Sequence, residues 1–285
     1  MSGATSPSDP GRPDLADALA PVRVSGGVHA RFLSDGSRTE VASVAERGGY
    51  RLARPATFGS HLEALLINTG GGVAGGDRIE TVYELGPATD VVHTTTSAER
   101  IYRSDGSPAR LEVRVALESA ARLDWLPQQT ILYAGARLER SIEVDVGADS
   151  RLLMVEMTTF GRPESDEGVA PASLNDQWRV RRNGQLVYAE AVRLSGELGA
   201  TLERPAIAGG ARAAALALLV APEASDRVEP HRRALECETC ETGVSAWNGL
   251  LAARALAKAP GDLIAALGRA IPVLSGRALP RVWAT

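Results

Sequence analysis

The sequence predicts a mainly β protein: two stacked or wound β-sheet layers built from repeated strand pairs, with few helices, one of them near the C-terminus. Three observations carry this expectation. Several segments alternate apolar and polar residues with period two, as half-buried strands do. A strand–turn–strand unit recurs about every thirty residues. Helix signals are sparse.

In residues 79–85, Ile79, Tyr83 and Leu85 share one side and Glu80 and Glu84 the other. Leu111, Val113, Val115 and Leu117 oppose Glu112, Arg114 and Glu118 in the same way. In residues 138–146 the apolar set is Leu138, Ile142, Val144 and Val146. A short turn comes after each, beginning at Gly86, Glu118 and Gly147, and then a more apolar strand: VVHTTT, LDWLP and LLMVEMTTF. Such a unit contributes one strand to a wetter layer and one to a drier layer. The C-terminal helix is expected in GDLIAALGRAI, with Asp262 as N-cap, Leu263, Ile264, Leu267 and Ile271 on one stripe, and Pro272 as its stop. A second helical stretch is expected around residues 173–178, SLNDQW.

With 285 residues and 44% apolar content the chain can fill one large core, and no break in composition divides it. One domain is expected over 21–285, behind a Ser-, Pro-, Gly- and Asp-rich leader over 1–20 that reads as disordered. A net charge of −4 gives no basic field for nucleic acid or anionic lipid. The longest apolar run, AAALALLVA at 213–221, is too short to span a bilayer as a helix. Two cysteines and no signal peptide fit a reducing cytoplasm.

Residues 68–77, NTGGGVAGGD, raise the possibility of a phosphate loop, since Gly70, Gly72 and Gly75 satisfy G-x-G-x-x-G after the apolar LEALLIN. A dinucleotide site needs a helix that begins inside the loop. The next stretch, DRIETVYEL, alternates as a strand, and no Gly-Lys-Ser/Thr is present. The glycines are therefore read as a turn between strands, where positive φ or close backbone approach excludes a side chain. Asp77 closes that turn at the mouth of a strand.

The same segment resembles the signature of the UreD (UreH) family of urease accessory proteins. Further matches occur in family order: TTTSAERIYRS at 94–104, WLPQQTILYAGARL at 125–138, RLLMVEMTTFGRP at 151–163 and the terminal LPRVWAT. The resemblance implies a mostly β fold of two stacked sheets and a protein with no reaction of its own. It implies docking on the urease apoprotein, binding to accessory protein F and through it to the GTPase G, and transient passage of Ni²⁺ through a polar channel, with no permanently bound cofactor. The sequence departs from the pattern at Thr69 and Gly70, where the family has prolines, at Arg100 for a lysine, at Gln129 where many members carry Glu, and in the acidic ESDEG after FGRP.

The resemblance aligns Asp77, Glu156 and Glu190 with acids of that passage. Spaced single carboxylates suit an ion that must be released, whereas a tight His/Cys cage would hold it. Glu156 interrupts the apolar LLMVEMTTF, and Glu190 comes after the apolar LVYA. A carboxylate buried without a partner is costly, so each either pairs with an arginine, such as Arg151 or Arg193, or faces a water-filled interior. Asn68, Gly71, Gly72, Gly75 and Gly76 are expected in a loop lining the passage or an interface, with Thr94 and Thr96 as a hydroxyl lining beside it.

His231, Cys237 and Cys240, in HRRALECETC, supply half of a zinc pattern with a third ligand to hand, but no second cysteine pair exists. A redox motif would need a thioredoxin-like βαβ setting, which the pattern lacks. His29, His61 and His93 stand singly and read as structural. No G-x-S-x-G elbow occurs. The alternative function is a β-repeat ligand-binding module or enzyme, unrelated to nickel, with its site in a groove between the layers.

Overall fold

A computed structural model describes residues 23–57, 59–162 and 169–283. The expected leader over 1–20, the ESDEG segment and the last two residues lie outside the described range.

The chain opens with an antiparallel hairpin of β1 (Ser25–Ser34) and β2 (Thr39–Arg47), then a second of β3 (Tyr50–Ala53) and β4 (Leu62–Asn68). From there it alternates between two layers. β5 (Arg78–Leu85) lies in the first and β6 (Asp90–Thr95) in the second, with the short β7 (Glu99–Ile101) after it. β8 (Ala109–Leu117), β9 (Arg122–Leu126) and the short β10 (Thr130–Leu132) repeat this order, as do β11 (Arg137–Val146) and β12 (Arg151–Phe160). The chain then returns to the first layer as the hairpin β13 (Ala172–Arg182) and β14 (Gln185–Gly196). A one-turn helix α1 (Leu198–Leu202), β15 (Ala213–Val220), α2 (Val228–Leu235), the hairpin β16 (Cys240–Trp247) and β17 (Leu250–Ala257), and α3 (Pro260–Ser275) complete the second layer and its cover.

The first sheet runs β14-β13-β11-β8-β5-β1-β2, and the second β16-β17-β15-β12-β9-β6-β4-β3 with β10 and β7 appended beside β12. β1, β5, β8, β11 and β13 are mutually parallel, and so are β4, β6, β9 and β12. This is a coil of strand pairs, as the thirty-residue unit predicts. The three inter-layer turns close alike: Thr89 N–H donates to Gly86 O, Ala121 N–H to Glu118 O, and Ser150 N–H to Gly147 O.

The wetter and drier layers have a plain cause. First-sheet strands bury one face only, as in β5, where Ile79, Thr81, Tyr83 and Leu85 are buried and Arg78 and Glu84 exposed. Inward residues of both sheets, among them Phe32, Tyr83, Ile142, Leu152 and Met154, form the inter-layer core. The second sheet is covered on its outer face too. There Val92, Leu126, Leu153, Val155 and Met157 pack with Leu263, Leu267 and Ile271 of α3, so β12 is buried at every position after Arg151.

Two helix expectations need correction. Residues 173–178 lie in β13, where Leu174, Asp176, Trp178 and Val180 alternate inward; two-residue periodicity and ladder pairing on both sides override the short helical stretch. Pro272 does not stop α3, which continues to Ser275 with Ala259 as N-cap and Asp262 in its first turn. The proline removes one backbone donor, but the buried stripe continues through Ile271 and Leu274 and holds the turn. The helix ends at Gly276, left-handed at φ 72°, whose N–H donates to Pro272 O at 2.9 Å.

Candidate functional site: an acid-lined cavity between the sheets

A cavity of about 330 Å³ opens between the sheets at the β13–β14 and β15–β17 end. Leu174, Trp178, Val192, Leu194, Phe160 and Leu216 give it apolar walls; Arg140, Glu156, Asp176, Glu190 and Arg254 give it charge. Glu156 and Glu190, expected on a common passage, do line one space. Asp77 does not.

Arg140 is at the centre. It points inward from β11, in line with Leu138 and Ile142, and is buried. Asp176, its cross-strand neighbour on β13, accepts from Arg140 Nε at 3.0 Å and from Nη2 at 2.5 Å. Across the layers, Arg140 Nη1 donates to Glu156 Oε2, and Trp125 Nε1 donates to Glu156 Oε1 at 2.9 Å. Burial pushes the Glu156 carboxyl up, against the opposing pull of Arg140 and Trp125. Burial alone would lower the Arg140 pKa, but Asp176 and Glu156 outweigh it and keep the guanidinium charged. Two carboxylates thus share one cation.

A second inter-sheet pair stands at the rim. Arg254 of β17 donates to Glu190 Oε2 at 2.7 Å and to Tyr188 Oη at 3.1 Å, and Tyr188 Oη donates to Glu190. Glu156, Leu216 and Arg254 occupy one row across β12, β15 and β17, which sets both pairs on the same cavity wall. The acids therefore do pair with arginines, but with Arg140 and Arg254 instead of Arg151 or Arg193. Arg151 binds Glu223 and the Leu274 carbonyl.

From Glu156 the polar groups continue through the core. Trp125 stacks on His93 with ring centroids 3.7 Å apart, and the Tyr83 hydroxyl lies 3.1 Å from His93 Nδ1. Burial holds the His93 imidazole down at about 3, so the ring is neutral. His93 Nε2 and the fully buried Thr94 Oγ1 have no hydrogen-bond partner among the described residues. Thr96, two residues on, is exposed.

The glycine loop leads into β5 and not into a helix, as the pattern required. Gly71, Gly72 and Gly76 have positive φ. Gly72 (φ 153°) crosses β7 so closely that a Cβ there would lie 2.4 Å from the Tyr102 ring and 2.7 Å from Arg100 O. Asp77 staples the loop: Oδ1 accepts from Val24 N–H and Oδ2 from Ala74 N–H, both at 2.8 Å. Beside it, Asn68 Nδ2 donates to Tyr50 Oη and to Glu99 Oε1, each at 2.9 Å, and Tyr50 donates to Glu99 Oε2 at 3.1 Å. Burial raises the Glu99 carboxyl, with Asn68 and Tyr50 acting against it. Asn68, Glu99, Gly71 and Thr96 line a small pocket of about 30 Å³ there.

His231 is buried in α2, while Cys237, in the turn after it, and Cys240, the first residue of β16, are half-buried. Among the described residues no group of three His, Cys, Asp or Glu side chains is placed to hold a metal ion. The three therefore do not form a cage.

Arg140 and Asp176 are among the residues that sequence reasoning missed, as is Arg254 at the rim. The signal for Arg140 and Asp176 was a charge on the inward parity of a strand, between Leu138 and Ile142 and between Leu174 and Trp178.

Comparison with known proteins extends the partial motif matches to nearly the whole chain. The family described as UreD urease accessory protein matches residues 24–284. The chain belongs to the UreD family. It is 42% identical over 287 residues to urease accessory protein UreD of Xanthobacter autotrophicus, covering 100% of this chain and 99% of that one. It is 44% identical over 255 residues to the UreD of a Methylobacterium strain, covering 88% and 90%. With the UreD of Azorhizobium caulinodans it shares 42% over 273 residues, covering 95% and 100%. No helix among the described residues is long and apolar enough to cross a membrane.

Proposed function

We propose that this protein is a urease maturation factor of the cytoplasm with no reaction of its own. It docks on the urease apoprotein together with accessory protein F and the GTPase G, and Ni²⁺ passes through its interior as cargo. One observation carries the reading: in the inter-layer cavity Glu156 and Asp176 share the single guanidinium of Arg140. Carboxylates that outnumber their cation keep capacity for a divalent ion, and oxygen ligands that stand apart release Ni²⁺ where a cage would retain it. Glu190 marks the rim of the route, and the Trp125–His93 stack extends inward from Glu156. In this reading Asp77, which does not line the cavity, shapes the loop by accepting from the Val24 and Ala74 N–H groups.

The test is a urease operon carrying R140M, E156M and D176N together, which removes the shared carboxylates without leaving an unpaired charge inside. The expected result is normal recovery of the complex in pull-down with urease and accessory protein F, with nickel per urease active site reduced several-fold. Full nickel loading by the triple variant would remove the passage from the proposal. The apolar walls, Leu174, Val192, Leu194 and Phe160, favour a second reading, a small ligand of mixed polarity in the same space. Mass spectrometry of extracts from the purified protein separates the two readings, since only a resident ligand would co-purify.

A further inference from the structure

The Cys237–Cys240 turn is not used by the nickel reading. Its two thiols are brought together by a closed turn in which Cys240 N–H donates to Cys237 O at 3.2 Å. Both cysteines are half-exposed. Cys237 Sγ also lies 3.4 Å from Thr239 Oγ1. From α3, the Arg269 guanidinium donates to the carbonyl of Glu236, the residue before Cys237, at 3.4 Å. Cys240 is the more enclosed of the two and faces the field of Asp262.

We propose that Cys237 and Cys240 form a thiol–disulfide exchange site whose co-substrates are low-molecular-weight disulfides such as glutathione disulfide. A βαβ setting would supply a helix N-terminus to activate the thiol. Here α2 ends before Cys237, and Cys240 and Thr239 supply the activation instead. The Cys237 pKa is lowered, first by Cys240 and then by Thr239, whereas burial pushes the Cys240 thiol up to about 11. Cys237 is therefore the attacking sulfur and Cys240 the resolving one. With no third ligand placed to complete a metal cage among the described residues, the paired thiols remain available for exchange.

The step balances. The Cys237 thiolate attacks one sulfur of glutathione disulfide, the S–S bond breaks, and one glutathione leaves as a thiolate that takes a proton from solvent. Cys240 then gives its proton to solvent and attacks the Cys237 sulfur, expelling the second glutathione and closing the Cys237–Cys240 disulfide. Two protein thiols lose two electrons and one glutathione disulfide gains them.

The full chain is incubated with excess glutathione disulfide and read by intact mass. The expected product has lost two hydrogens and retains no glutathione. C240S should trap one glutathione on Cys237, and C237S should react at Cys240 about tenfold more slowly or less. Persistence of both free thiols in the wild type, a stable glutathione adduct without ring closure, or equal rates for the two single variants would overturn the assignment. Because no nickel or partner enters this assay, its failure leaves the maturation reading untouched.

Discussion

Arg140 and Glu156 tie the two layers together: consecutive long strands, β11 and β12, lie in opposite sheets, and one guanidinium–carboxylate pair joins them across the core. Breaking such a pair from one side leaves an uncompensated charge inside. R140M strands Glu156 and Asp176 together, so a loss of about 3–5 kcal/mol is expected by urea denaturation. Much of that loss should return in the triple variant R140M, E156M and D176N. An R140M protein as stable as its parent would refute the buried pairing.

The rim pair should behave differently. Arg254 is 56% exposed, so water screens its contact with Glu190. R254Q is expected to change stability by less than about 1 kcal/mol in the same measurement. A larger loss would mean that the rim pair is held as rigidly as the inner one.

His93 gives the fold a defined acid response. Its folded pKa, about 3, lies below the ordinary 6.5, so below pH 6.5 the unfolded chain takes a proton that the folded chain refuses. This contribution to stability is complete above pH 6.5 and is lost progressively as pH falls toward 3. At pH 5 the loss is about 2 kcal/mol. The stability difference between wild type and H93Q should therefore shrink by about that amount from pH 7 to pH 5. An unchanged difference would mean that the imidazole is protonated in the fold.

Gly72 and Gly71 form a matched pair for the glycine loop. Both have positive φ, but a Cβ at Gly71 meets nothing within 4 Å, whereas one at Gly72 meets the Tyr102 ring and Arg100 O. G71A should cost about 1 kcal/mol from backbone strain alone, and G72A about 2–3 kcal/mol or more. Equal losses would place the loop away from β7.

D77A removes the acceptor of two backbone N–H groups, one at the entry to β1 and one in the loop. A loss of about 2–3 kcal/mol is expected by urea denaturation, with a smaller loss in D77N, which keeps one carbonyl oxygen. A stable D77A that nevertheless fails to load urease with nickel would return Asp77 to the ion's path.

The strand alternation showed which face of β5, β8 and β11 is buried, and the turn spacing showed the coil, because both are local properties. The cavity was only half legible. Glu156 and Glu190 stood out as acids among apolar neighbours, but their partners lie 16 and 64 residues away, and no local pattern announces a contact across layers. Asp77 could be located but not interpreted, since the donors to its oxygens are main-chain groups without sequence identity. α1 is too short for periodicity to register, and in α2 only His231 and Leu235 are buried. Pro272 misled because its usual effect on a helix was outweighed by packing with the second sheet.

The parallel rows have a consequence for how the molecule is made. From β1 through β5, β8 and β11 to β13, each rung is laid beside one already synthesised, so assembly can track the ribosome by accretion from the N-terminal hairpins. A chain stalled partway, for instance after β9, presents raw rungs of both sheets at its growing end. Such nascent fragments, more than the finished protein, are the species expected to stick to one another during production.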